Sequence, residues 1–331
     1  MLLHDSMASF EEVFGRCSVA VVSPFNPVDE TLDPAALHTL IRHVAGKIIA
    51  GQGGIIVTGS TGEQHMMSEA ERCSLYVCAV EAADGHAPVI AGVAAFRTGE
   101  AVRLAVAARD AGCRGIMLGL PPYIRAGDEE LESYVGAVAT AIAPLPILLY
   151  NNTMRNGGGP SVAAIARMHV RGWIGGVKIV GTTADAIEAE ASELAAAAPG
   201  LRLYTGSDVL FGELRVKAAT SGVEPCLYGL TSILGNVFPE SVARLAMGDA
   251  SDAARVHAAL VPLAAACLTG CSLPVGVKCG LREAGIVDPG VARAPLGHVS
   301  AGKAAEIRAA VLCARKELAR QGLDLPAAGA M

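Results

Sequence analysis

From about residue 18 onward, short apolar runs alternate with longer stretches whose apolar positions recur at helical spacing, and the cycle repeats eight times. The short runs are 19–22, 54–58, 89–92, 115–118, 147–150, 174–180, 203–206 and 225–229; the helical stretches are 34–49, 68–83, 99–111, 128–143, 161–168, 184–198, 209–221 and 239–247. The runs are continuously apolar rather than alternating, as expected of strands buried on both faces in a parallel sheet. Capping supports the helices: Asp33 precedes Pro34 at one start, and Ser68 with Glu71 three residues on forms a capping box at another.

Eight βα units of this kind predict an α/β fold, a (β/α)8 TIM barrel, with additional C-terminal helices at 253–268, 273–284 and 303–321. An open doubly wound sheet is the alternative, but no G-x-G-x-x-G follows the first strand. The expected organisation is an N-terminal extension (1–17), the barrel (18–248) and a C-terminal helical region (249–331). No linker rich in Pro, Gly or Ser separates these parts, and the tail 322–331 is expected to fray.

One residue breaks the pattern. Lys178 stands inside the apolar run 173–180, whereas the other five lysines (47, 217, 278, 303, 316) lie in helical or terminal stretches from which the ammonium is expected to reach water. Desolvation disfavours a charged amine, and a neutral lysine is a nucleophile that can form a Schiff base with a ketone. A lysine paired with a carboxylate inside the barrel is the structural alternative, and Lys178 alone does not separate the two.

Composition narrows the picture. The chain is 52% hydrophobic but only 4% aromatic, so its core is aliphatic; a net charge of −6 argues against a nucleic-acid partner without excluding a small anionic substrate. The nine cysteines are odd in number and never spaced C-x-x-C, which fits a reducing cytoplasm better than a disulfide framework. Cys267, Cys271 and Cys279 read as small core residues, and the eight histidines show no metal-binding spacing, so no metal or cofactor is expected. The sequence has no apolar stretch of about 20 residues, and neither secretion nor membrane insertion is expected.

In a barrel of this type the chemistry collects at the carboxyl ends of the strands. The second strand ends in Thr58-Gly59-Ser60-Thr61-Gly62-Glu63, a turn whose hydroxyls and backbone N–H groups suit a carboxylate. Pro121-Pro122-Tyr123 follows the fourth, Tyr150-Asn151-Asn152 ends the fifth with Arg155 just beyond, and Thr205-Gly206-Ser207-Asp208 ends the seventh. Each has a plain structural reading: a common turn composition, a rim tyrosine, a solvated arginine, and in Asp208 the N-cap of the next helix. Their convergence on one face, around Lys178, favours a site.

These residues resemble the dihydrodipicolinate synthase / N-acetylneuraminate lyase family of Schiff-base-forming class I lyases over roughly 18–285. The resemblance rests on Gly59-Ser60-Thr61-Gly62-Glu63, on Ser68-Glu69-Ala70-Glu71-Arg72, and on Pro122-Tyr123, Leu149-Tyr150-Asn151 and Gly176-Val177-Lys178. It implies that Lys178 forms an imine with pyruvate or another 2-oxo acid, and that Tyr150 moves protons through a relay with Ser60 and Tyr123. Gly59, Thr61 and neighbouring N–H groups would hold the 2-oxo acid carboxylate, with Gly206 also at the substrate. Arg155 stands where the synthases bind the aldehyde's carboxylate. It further implies a homo-oligomer, dimer or tetramer, in which Tyr123 reaches a neighbouring subunit's site.

The chain also departs from the family pattern. Tyr150-Asn151-Asn152-Thr153-Met154-Arg155-Asn156-Gly157 lacks the usual proline and threonine, Gly158-Gly159-Pro160 is extra, and Ile179 replaces an acidic residue after the lysine. Residues Ala94-Ala95-Phe96-Arg97 lack the asparagine of lysine-sensitive synthases, so no inhibition by lysine is expected. Three readings fit: a 4-hydroxy-tetrahydrodipicolinate synthase-like enzyme condensing pyruvate with an aldehyde such as aspartate semialdehyde; a 2-oxo-3-deoxy sugar acid aldolase or dehydratase; and a non-catalytic small-molecule-binding homologue. The first leads by the position of Arg155, and the full set of reactive side chains weighs against the last.

Overall fold

The computed structural model describes residues 9–48, 52–221 and 227–323. Pro225 and Cys226, at the start of the expected eighth strand, and the tail beyond 323 lie outside the described residues.

Eight parallel strands close into a barrel in chain order: β1 (Cys17–Ala20), β2 (Ile55–Val57), β3 (Val89–Val93), β4 (Gly115–Gly119), β5 (Ile147–Asn151), β6 (Gly176–Ile179), β7 (Arg202–Thr205) and β8 (Leu227–Thr231), with β8 returning to β1. The expected fold is therefore the observed one. The outer ring is α2 (Pro34–Ala45), α3 (Glu69–Ala83), α4 (Thr98–Asp110), α5 (Asp128–Ile142), α7 (Val162–Val170), α8 (Ala184–Ala197), α9 (Phe211–Ser221) and α11 (Pro239–Met247). Its helices turn an apolar stripe inward; in α2, Leu37, Leu40, Ile41 and Val44 are all fully buried, each contributing roughly 1.5–3 kcal/mol. Asp33 caps α2 by accepting from the N–H groups of Ala35 and Ala36, and Ser68 with Glu71 makes the reciprocal capping box of α3.

Three short helices have no counterpart in the periodicity: α1 (Phe10–Phe14), α6 (Thr153–Asn156) and α10 (Ile233–Val237). The first closes the barrel from below. Phe10 and Phe14 stack with centroids 4.5 Å apart, both meet Tyr204 edge-on, and Val13 and Phe14 join Ala20, Ile56, Ile90, Met117 and Leu148 in an interior cluster. A Cβ on Gly175 or Gly176 would fall 2.4 or 2.6 Å from the Phe10 ring, so both glycines make room for this plug.

Beyond the barrel, α12 (Ala250–Leu268), α13 (Leu273–Glu283) and α14 (Ala301–Arg320) pack on one another and on α9, α10 and α11. The segment between α13 and α14 climbs to the carboxyl end of the barrel. There Phe25, after β1, donates its N–H to Pro289 O (3.2 Å) and accepts from Val291 N (3.1 Å), so the C-terminal region braces the loops above the first strands.

Candidate active site

Lys178 and Tyr150 are paired residues on neighbouring strands, Tyr150 of β5 against Lys178 of β6. In-register residues point to the same face, here the interior. The Lys178 ammonium lies 4.2 Å from the centroid of the Tyr150 ring, and the lysine is 8% exposed. No carboxylate lies within ion-pair distance of Lys178 among the described residues. On its far side is Gly206, just past β7, where a Cβ would sit 2.2 Å from Lys178 Cε and 2.9 Å from Nζ. The aliphatic stem of Lys178 fills the space that a side chain at 206 would take.

The turn after β2 begins with Thr58 in left-handed conformation (φ 52°), buried, its hydroxyl donating to Gly92 O at 2.8 Å. It ends with Glu63, also left-handed (φ 55°). Between them lies Ser60, whose hydroxyl is one of the groups that favour the ionised Tyr150 phenol. Thr61 is 3% exposed and shares a 2.9 Å hydrogen bond with the Ser232 hydroxyl. With Ser232 as donor, the Thr61 hydrogen remains for a ligand oxygen. Gly62 must be small, since a Cβ there would meet Thr58 N and Val21 O at 3.1 Å. Gly59 is buried beside Met117, whose Cε would stand 3.3 Å from a Cβ there.

Asn152, which carries no role in the sequence reading, is 3% exposed and donates from Nδ2 to the Tyr150 hydroxyl at 2.9 Å. Burial pushes the Tyr150 phenol up, but Lys178, the Asn152 amide, Arg155 and the Ser60 hydroxyl together outweigh it and hold the phenol below its ordinary value. Arg155 itself is exposed on α6.

Two expectations need correction and one residue stands apart. Asp208 does not cap the helix that follows β7. It is buried and accepts from Ser232 N (3.0 Å) and Leu234 N (3.1 Å) at the start of α10, because the turn after β8 brings free N–H groups to it. Burial raises its pKa, opposed by those N–H groups and by Lys178. Nor is Lys178 the one buried lysine: Lys278 is 2% exposed, against the expectation that its ammonium reaches water, since residues 274–281 of α13 are buried throughout. Tyr123 is 91% exposed, with φ 74°, and within this chain it does not join Tyr150 and Ser60.

Among the described residues no cluster of three or more His, Cys, Asp or Glu side chains is placed to hold a metal, and no helix is long and apolar enough to cross a membrane. The parallel eight-stranded barrel thus brings an amine beside a tyrosine ring at the carboxyl ends of neighbouring strands, an arrangement suited to chemistry at a carbonyl group.

Comparison with known proteins makes this specific. The profile of the dihydrodipicolinate synthetase family matches residues 13–314, and the chain belongs to that family. The 4-hydroxy-tetrahydrodipicolinate synthase of Heliobacterium modesticaldum is 31% identical over 295 residues, covering 89% of this chain and 94% of that protein. That of an Azoarcus species is 34% identical over 284 residues, covering 84% and 90%. Among solved structures, the 4-hydroxy-tetrahydrodipicolinate synthase of Methylacidiphilum fumariolicum superposes with a TM-score of 0.80 at 28% identity, covering 93% of this chain and 98% of that one. The dihydrodipicolinate synthase of Acinetobacter baumannii complexed with pyruvate gives 0.79 at 26% identity, covering 91% and 99%.

Proposed function

We propose that this protein is a pyruvate-dependent class I lyase that condenses pyruvate with an aldehyde, in the manner of a 4-hydroxy-tetrahydrodipicolinate synthase. The observation that supports the reading is the contact of Lys178 with Tyr150, with no carboxylate within ion-pair distance of the amine among the described residues. The neutral amine attacks C2 of pyruvate, and loss of water leaves an iminium that draws electrons from C3. Tyr150 takes the C3 proton, passing it through Ser60, and the resulting enamine carbon bonds to the aldehyde carbon. The aldehyde oxygen takes a proton back from Tyr150 as that bond forms, and water or an amino group of the second substrate then adds to C2 and displaces the Lys178 amine.

The carboxylate of the 2-oxo acid would rest on Thr61 and the N–H groups beside Gly59, with Gly206 keeping the lysine's path clear. Arg155 stands at the mouth for the second substrate's carboxylate, such as that of aspartate semialdehyde. The reading includes a homo-oligomer in which a partner subunit's tyrosine, equivalent to Tyr123, completes the proton relay. It also includes a cytoplasmic location, and no inhibition by lysine, since Ala94, Ala95, Phe96 and Arg97 after β3 supply no amide. Borohydride trapping with pyruvate, read by intact-protein mass, tests the core of it. The wild type is expected to gain one reduced pyruvate and Lys178→Ala none; labelling of the variant overturns the assignment. Release of pyruvate onto the lysine from a 2-oxo-3-deoxy sugar acid would redirect the reading to a catabolic aldolase.

A further inference from the structure

The family's turn after the Tyr-Asn strand end carries a proline, and here the stretch is rebuilt with Asn152 as its first residue after the strand. The amide of Asn152 has two different duties. Its oxygen accepts the N–H of Arg155 at 3.3 Å, capping α6, while its nitrogen donates to the Tyr150 hydroxyl at 2.9 Å. Because the oxygen is occupied by a donor, the NH2 group must face the phenol, and an NH2 group only donates. A lone pair of the phenol oxygen is therefore taken from this side, and the phenol hydrogen must point elsewhere, toward Ser60 or a bound substrate.

We propose that Asn152 is the positioning residue for Tyr150, fixing the phenol oxygen so that its proton, and after deprotonation its free lone pairs, are directed at Ser60 and the substrate. This rests on the reading of Lys178 and Tyr150 given above. The charged and titratable groups around the phenol are Lys178 from β6 and Arg155 from α6, with Asp208 buried beyond Lys178. Of these, Lys178 loses its positive charge whenever the enamine forms, whereas the Asn152 donor persists through every stage. It is thus a constant partner for a group whose cation comes and goes.

Exchange of the pyruvate methyl protons for deuterium, followed by NMR in D2O, reports deprotonation at C3 without any aldehyde. Two variants separate positioning from capping. Asn152→Leu removes both functions; Asn152→Asp keeps an oxygen for the Arg155 N–H but has no donor for the phenol. Both are expected to retain borohydride trapping with pyruvate while exchange slows about ten- to a hundredfold, the loss expected for a hydrogen bond to a charged group. Removing a donor that favours the phenolate raises the pH at which exchange is half-maximal, so the profile should shift upward in both. Exchange by Asn152→Asp at the wild-type rate with the wild-type profile would show that Asn152 only caps α6, and overturns the proposal. If the wild type itself fails to trap pyruvate, the reading of Lys178 falls and this proposal with it; if the wild type traps and exchanges normally, only the behaviour of the variants decides.

Discussion

Lys278 and Glu63 form an ion pair of 2.7 Å in which the side chains are 3% and 0% exposed. The same ammonium donates to Val291 O at 2.5 Å and lies 4.6 Å from the centroid of Phe25; the other oxygen of Glu63 accepts Arg293 N at 3.0 Å. Arg293 covers the opposite part of this junction, 4.1 Å from the Phe25 ring and paired with Glu71. The C-terminal helices thus grip the last residue of the turn that carries Ser60 and Thr61. Burial lowers the Lys278 pKa, and Glu63 opposes that shift. Removing one partner leaves a desolvated charge: Lys278→Met should cost about 3–5 kcal/mol in urea unfolding, and Lys278→Met with Glu63→Gln distinctly less. Equal losses in the single and double variants would show that the pair is not what holds the turn.

At Gly206 the backbone imposes no left-handed geometry, so alanine is tolerated by the chain but not by the neighbouring lysine, whose Cε would meet the new methyl at 2.2 Å. Gly206→Ala should fold with a nearly unchanged melting temperature and lose about a hundredfold in the rate of pyruvate trapping, as displacement of a reacting group by an ångström can. A wild-type trapping rate would mean that the amine reaches its position by another route.

Tyr123 contributes little to the stability of its own chain, being exposed and held at positive φ. Tyr123→Phe should leave unfolding unchanged and reduce turnover about a hundredfold, as loss of a proton-transfer group does. Mixing Tyr123→Phe with Lys178→Ala, each inactive or nearly so, should restore part of the activity if the tyrosine serves a partner subunit. Absence of any restoration after subunit exchange would confine Tyr123 to its own chain.

His43, on the inner side of α2, is 5% exposed, and burial with the nearby Lys47 charge lowers its pKa to about 4. Against an ordinary value of 6.5, the unfolded chain binds a proton at this position throughout the range from 6.5 to 4 and the folded chain does not. The stability tied to neutral His43 is therefore present above pH 6.5 and lost as pH falls toward 4, by about 3 kcal/mol in all. His43→Leu should flatten that part of the stability curve measured by denaturant unfolding, while an unchanged slope would place the acid sensitivity in other groups.

The barrel was legible because every strand reads as a continuous apolar run and every outer helix as an amphipathic one. Boundaries were less so: Val21 and Val22 are as buried as the strand before them, and β1 is Cys17–Ala20 rather than 19–22. Helices of four or five residues, α6 and α10, are too short to show a period. At the site, Lys178, Tyr150, Ser60 and Thr61 could be grouped because each lies within or just past the carboxyl-terminal part of an apolar run, and those ends share one face of a barrel. Lys278 stands alone in the apolar stretch 273–281, much as Lys178 does in its own, but the carboxylate that pairs with it, Glu63, lies in the opposite half of the sequence. Asp208 was recognisable as a capping residue, yet which helix it caps depends on how the β8 turn folds over it. Asn152 sat beside a recognised tyrosine, and only the N–H it accepts through Oδ1 reveals which way its amide faces.

The stacked phenylalanines of α1 have a kinetic meaning as well as a packing one. With the amino-terminal end of the barrel filled by Phe10, Phe14 and the interior cluster above them, a ligand of Lys178 would have to come in over the strand-end rim. On the proposed reading of Lys178, traffic would be sequential: the first reactant would enter and shed its water outward before the second could follow, and product would leave along the path by which substrate arrived. A visitor that lodges at the rim therefore obstructs both reactants alike, and an intact floor turns a two-substrate encounter into a queue.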